Sequence, residues 1–179
     1  MDTAYVLECV EARIQNSAFL ADTIPTYMPF LGPEICAALF GAELEFKDDE
    51  TSYSVPLVRG VRDILAMELD FSGIYWETIR QLTELSIERG QGRWITGVTD
   101  LHTNGDLVAA LRDPQELCFD CAEDLEGVRL ACEHVTDWFA HIFDDLYGRI
   151  AAAGQPCTTW TPRRCKRICL ERADAKVRR

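Results

Sequence analysis

At 179 residues and 47% hydrophobic, the chain is long enough to bury a real core and too apolar to be disordered. No apolar run approaches the roughly 18 residues that a membrane-spanning helix needs. The formal net charge of −12 would repel a phosphate backbone and argues against a nucleic-acid partner.

The charge is unevenly spread. Residues 1–162 carry 10 basic and 28 acidic side chains, whereas 163–179 carry 8 basic and 2 acidic. The expectation is one α/β domain over 1–162 and an atypical basic tail over 163–179. There is no basic-then-apolar leader, and the eight cysteines (9, 36, 118, 121, 132, 157, 165 and 169) are scattered among helix-like segments. Both features lead us to expect a cytoplasmic protein with reduced thiols.

Residues 4–21 place Val6, Val10, Ile14, Ala18 and Ala21 at helical spacing, which predicts an amphipathic helix. Residues 24–30 carry Pro25 and Pro29, so an extended strand at a sheet edge or a strand end is expected instead. Gly32-Pro33 opens a short helix over 33–40, terminated by Gly41. A strand over 43–47, an acidic turn at Asp48-Asp49-Glu50-Thr51, an extended stretch over 53–58 and a short helix over 61–67 follow. Residues 74–89 predict a helix that buries Ile79, Leu82, Leu85 and Ser86, with Gly90 just beyond its end.

Residues 94–99 are β-prone, and Asp100-Leu101-His102 leads from them into an amphipathic helix ending near Arg112. Asp113-Pro114-Gln115-Glu116 is a helix start, with Asp as cap and Pro at the first position. Residues 124–153 read as one long helix stopped by Gly154, and 157–160 are β-prone again. Strands that alternate with helices in this order are expected to form a parallel sheet with crossover helices.

Asp100 and His102 lead the candidate site residues. They stand just past a strand, where parallel α/β folds keep their chemistry, and they combine a general base with a group that titrates near neutrality. Asp106 belongs to the same loop, but Thr103 with Asp106 three residues on is a capping-box pattern, and capping is the role expected of Asp106. Arg59 and Arg62 are bidentate donors suited to substrate carboxylates, although a surface helix would leave them solvated. Cys118 and Cys121 form a CxxC without a second pair, so two buried thiols are expected rather than zinc or redox chemistry. His134 and His141 lie two turns apart on one helix, about 10 Å along its axis, too far to share an ion. No metal site is expected.

The run TDLHTNGDLVAALRDPQELCFD at 99–120, followed by a long acidic helix, resembles the uroporphyrinogen decarboxylase superfamily, which includes corrinoid-dependent methyltransferases. Pro29-Phe30-Leu31-Gly32-Pro33, Gly41 with the acidic Glu50-Thr51, and the 74–89 helix with Trp76 are similar as well, so the resemblance covers roughly 24–162. It implies a (β/α)₈ TIM barrel with its cleft at the carboxyl ends of the strands. The implied activity is decarboxylation of a tetrapyrrole side chain without a cofactor, or methyl transfer with a corrinoid as methyl acceptor. Asp100 and His102 would be catalytic, and Asp106, Trp76 and Arg59 would contact the small-molecule substrate.

Such barrels take about 250 residues, so a partial, helix-rich barrel is expected. The family's arginine-rich substrate loop and its His-x-Cys zinc signature are missing: His102, His134 and His141 are followed two residues on by Asn104, Thr136 and Phe143. The switch to RRCKRICLERADAKVRR after Pro162 suggests a truncated or frame-shifted product. The alternative function is a non-catalytic fragment or interaction module that self-associates through unpaired strand edges.

Overall fold

The computed structural model describes residues 1–21, 23–47 and 51–158. The acidic turn at 48–50, the end of the last β-prone run and the basic tail lie outside the described residues. The chain is mixed α/β and rich in helix. It forms two compact units interleaved in sequence, one built from residues 1–29, 80–99 and the segment from 145 on, the other from 30–79 and 100–144. Among the described residues no helix is long and apolar enough to cross a membrane.

The first unit begins with α1 (Thr3–Gln15). Asp2 caps it by accepting from the N–H groups of Ala4 and Tyr5, both at 3.1 Å. The helix stops six residues earlier than its apolar spacing suggests, and side chains bond two of its last carbonyls. Asn16 Nδ2 donates to Ala12 O at 2.8 Å, and Ser17 Oγ to Arg13 O at 2.7 Å.

Strand β1 (Thr26–Tyr27) pairs in parallel with β4 (Ile95–Thr96), in register Thr26 to Ile95 and Tyr27 to Thr96. Gly97 then bridges Thr158, again in parallel. These are the parallel pairings expected from the alternation of elements, reduced to very short strands. The carboxyl-terminal part of α3 (Ile74–Gly90) and of α6 (Leu125–Ala152) belong to the same unit. Leu82, Leu146 and Ile150 are fully buried.

A buried polar chain ties α3 to β4. Trp94 Nε1 donates to Ser86 Oγ at 3.0 Å, and Ser86 Oγ lies 2.8 Å from Thr96 Oγ1. Each buried polar atom therefore has a partner, which removes the desolvation cost of placing it inside. Burial also pushes the Tyr27 hydroxyl up to about 12, so it stays protonated.

The second unit contains α2 (Ile35–Leu39), the antiparallel hairpin of β2 (Leu44–Phe46) and β3 (Ser52–Ser54), a 3₁₀ helix (Val61–Ala66), α4 (Gly105–Arg112) and α5 (Pro114–Glu123), with the starts of α3 and α6. The hairpin pairing is a departure from the all-parallel expectation. Its core packs Ala37 of α2 and Phe40 just after it, Ile64 of the 3₁₀ helix, Val108 and Leu111 of α4, and Ala131 and Val135 of α6.

Asp113 both ends α4 and caps α5, accepting from the N–H groups of Gln115 (2.8 Å) and Glu116 (3.2 Å), with Pro114 at the first helical position as its sequence predicts. Arg112 clamps the same corner through Asp120 at 2.8 Å and Glu116 at 3.1 Å. Arg62 pairs with Asp124 through two bonds of 2.6 and 2.7 Å.

Candidate functional site

The loop after β4 carries the leading candidates, and the structure brings two of them together. His102 Nε2 stands 3.3 Å from Asp100 Oδ2, with the side chains 40% and 22% exposed. That half-open position lets Asp100 fix the imidazole while the ring still meets solvent or a ligand.

Helix α4 begins one residue later than the capping-box pattern requires, and this corrects the role expected of Asp106. The N-cap is Asn104, whose side chain makes no capping bond, and among the described residues Thr103 Oγ1 has no hydrogen-bond partner. Asp106 is exposed and lines a cleft instead. Asn104 sits at φ 58° and ψ −129°, a backbone region that glycine enters far more easily than other residues. Because its side chain caps nothing, Asn104→Gly is expected to stabilise the protein by about 1 kcal/mol, read as a higher urea midpoint with unchanged slope.

The cleft has a volume of about 580 Å³, within the range of small-molecule sites. Glu34, Ser54, His102, Asp106 and Asp113 supply its polar groups, and Tyr53, Pro56, Ala109, Ala110 and Pro114 its apolar walls. No Lys or Arg is among these lining residues, so the cleft favours cationic or N–H-bearing groups over anions.

Glu34, just ahead of α2, is half-buried. Burial raises its carboxyl above the ordinary glutamate value, His102 pulls it down and Asp106 pushes it up again. The native state therefore holds this proton to higher pH than the unfolded chain does. The resulting contribution to stability is present below the ordinary glutamate value and is lost as pH rises through the folded value. Cys36 is buried close by and stays a thiol: burial, and then the charges of Asp100 and Glu34, push it up to about 12.

The other expected residues lie elsewhere. Trp76 is 3% exposed and meets Phe71 edge-on, with ring centroids 5.0 Å apart, so its place in the structure is a core position. Arg59 is exposed. Cys118 and Cys121 are both exposed on α5, not buried as expected. His134 Nε2 lies 2.8 Å from Met67 O, a satisfied histidine, while His141 is exposed. Among the described residues no group of three or more His, Cys, Asp and Glu side chains is placed to hold a metal ion.

Glu34, Tyr53, Ser54 and Asp113 are the cleft residues that the sequence does not announce. Glu34, Tyr53 and Ser54 stand 68, 49 and 48 residues before His102 and Asp113 is a capping position, so only the fold assembles them. Comparison with known proteins finds no matching family model, no matching curated protein and no matching solved structure.

Proposed function

We propose that this chain is a protein of the uroporphyrinogen decarboxylase type, and that its acidic cleft holds a small molecule through N–H groups for chemistry at Asp100 and His102. The observation that carries this reading is the contact of Asp100 with His102, four and six residues after β4 in the chain, with His102 lining a cleft together with Glu34 and Asp106. The parallel pairing of β1 with β4 and of Gly97 with Thr158 fits the succession of parallel strands in a (β/α)₈ barrel.

An ionised carboxylate only accepts hydrogen bonds, which suits the inward-facing N–H groups of a tetrapyrrole. In decarboxylation the bond to the leaving carboxyl carbon breaks and its electron pair stays on the substrate. Asp100, held by His102, would stabilise the positive charge of the pyrrole ring once the ring has been protonated. That ring takes up the electron pair as carbon dioxide leaves, and a proton from water then completes the C–H bond while the ring gives up its own.

A second reading, methyl transfer to a corrinoid, is favoured by the absence of Lys and Arg from the lining residues. Among the lining residues only His102 could pair with the carboxylates that a decarboxylase substrate must carry.

Anaerobic optical titration with uroporphyrinogen and with a cob(I)alamin solution, combined with size-exclusion chromatography, tests both readings. Saturable binding of either ligand by a single species is the expected result. A chain that binds neither and elutes as a self-associated species overturns both in favour of an interaction module.

A further inference from the structure

Helix α5 carries a pair of thiols that the cleft does not use. Cys118 and Cys121 stand three residues apart in an unbroken α-helix, and both are exposed. The sequence predicts two buried thiols, but α5 buries none of its residues, so both sulfurs are open to an ion from solvent.

Helical geometry decides what two such thiols can share. Residues three apart are separated by about 60° around the helix axis and about 4.5 Å along it. Their Cβ atoms therefore lie about 5–6 Å apart on one face. A disulfide closes over a Cβ separation of about 3.5–4.5 Å, so a direct S–S bond would require α5 to tighten by about 1 Å or more. An atom between the sulfurs suits the longer span. With two sulfur–metal bonds of about 2.3 Å, the sulfurs stand up to about 4.6 Å apart and the Cβ atoms keep their helical spacing.

The number of ligands selects the ion. Zinc in a structural site takes four protein ligands, and among the described residues no group of three or more His, Cys, Asp and Glu side chains is placed to hold a metal. Two thiolates in line suit a soft monovalent ion, and Cu(I) is the biological metal of that kind. Residues 113–124 include Asp113, Glu116, Asp120, Glu123 and Asp124 and no basic residue, a local field that draws cations to the helix. Arg112 engages Glu116 and Asp120, which leaves the two sulfurs as the soft donors of this face. Cys132 of α6 is partly buried and packs against the core cluster.

We propose that Cys118 and Cys121 form a two-sulfur site for Cu(I). Each thiol gives its proton to water as its sulfur bonds the ion, and no electron is transferred. The inference does not rest on the reading of the cleft.

Anaerobic competition for Cu(I) between the protein and bicinchoninate, followed by the colour of the chelate, tests this. The full-length chain is used with Cys165→Ser and Cys169→Ser, which leaves the six thiols of the described residues. One equivalent of Cu(I) is expected to leave the chelator. Cys118→Ser and Cys121→Ser should each weaken binding about 100-fold or more, because the remaining thiol loses the effective concentration of its neighbour. Cys121→Ser combined with Ala122→Cys sets the thiols four residues apart on one face and should recover the affinity. Cys118→Ser combined with Phe119→Cys sets them two apart, on faces that do not meet, and should not. All four positions are exposed, so these variants are expected to fold, which circular dichroism checks. Cys132→Ser should leave the affinity unchanged. Wild-type affinity in Cys118→Ser or Cys121→Ser, recovery at the two-residue spacing, failure to withdraw Cu(I) from the chelator, or a loss in Cys132→Ser as large as theirs overturns the two-sulfur site.

Discussion

Leu111→Ala is expected to cost about 2–5 kcal/mol of stability, enough to leave a marginally stable chain partly unfolded at room temperature. Leu111 is fully buried near the end of α4, in the cluster formed with Ala37 of α2, Ile64 of the 3₁₀ helix and Val135 of α6. Four elements meet there, so truncation leaves a cavity that no single side chain can refill.

The backbone of the same residue is also engaged. Leu111 O accepts from Leu57 N at 2.8 Å and Val58 N at 3.2 Å, holding the strap between β3 and the 3₁₀ helix against α4. Loosening α4 should therefore lower protection of the Leu57 and Val58 amides in hydrogen exchange. Leu125→Ala is the control: Leu125 is 67% exposed, and its loss should shift stability by less than about 0.5 kcal/mol.

Gly32→Ala is expected to be as damaging, by about 3 kcal/mol or more, from two independent causes. Gly32 has φ +96°, where any side chain is strained, and an added Cβ would overlap Ser52 Oγ and lie 2.5 Å from Ser52 Cβ. The two causes separate in a double-mutant cycle. Ser52→Ala leaves the Cβ in place and rescues little, whereas Ser52→Gly removes the overlap and recovers that part of the loss, leaving the backbone strain. Ser52→Ala alone should be mild, because Ser52 Oγ is buried with no hydrogen-bond partner among the described residues. Thermal unfolding of the wild type, the three single variants and the two double variants reads both terms.

Where the chemistry of a few neighbouring residues decides a feature, the sequence is legible. Asp113-Pro114 starts α5 as expected because an acceptor at the cap and a ring that needs no N–H suit a helix start whatever packs on it. The long apolar periodicity of α3 and α6 predicts both helices to within about one residue at each end.

Other features are set by competition that a pattern does not reveal. The apolar spacing of α1 continues to Ala21, but Ser17 gives its Oγ to Arg13 O and its N–H to Ile14 O, so the helical hydrogen-bond pattern ends there. Thr103 and Asp106 have the spacing of a capping box, yet the chain turns at Asn104 and leaves both side chains out of the cap. Cys118 and Cys121 sit beside apolar neighbours in sequence, but α5 buries none of its residues, so both thiols face solvent.

The site is legible by half. Asp100 and His102 are local to one loop, and strand-then-loop placement singles them out. Glu34 and Ser54 reach the cleft from other elements, and Ser54 Oγ takes up the Ala110 carbonyl that Pro114, with no N–H, leaves open. No short-range signal links these positions.

The central claim is that the cleft lined by His102 binds a ligand, and that Asp100, in contact with His102, contributes to holding it. Asp100→Ala, titrated anaerobically with uroporphyrinogen and melted in parallel with the wild type, tests it most directly. Losing one charge-assisted contact should weaken binding by about 10-fold or more. The unfolding midpoint should stay within about 2 °C, because Asp100 is partly exposed and its ion-pair partner His102 is half-open to solvent. Equal affinity in the two chains, or a fall in affinity that appears only together with a collapse of the unfolding midpoint, would contradict the account and make the loop structural.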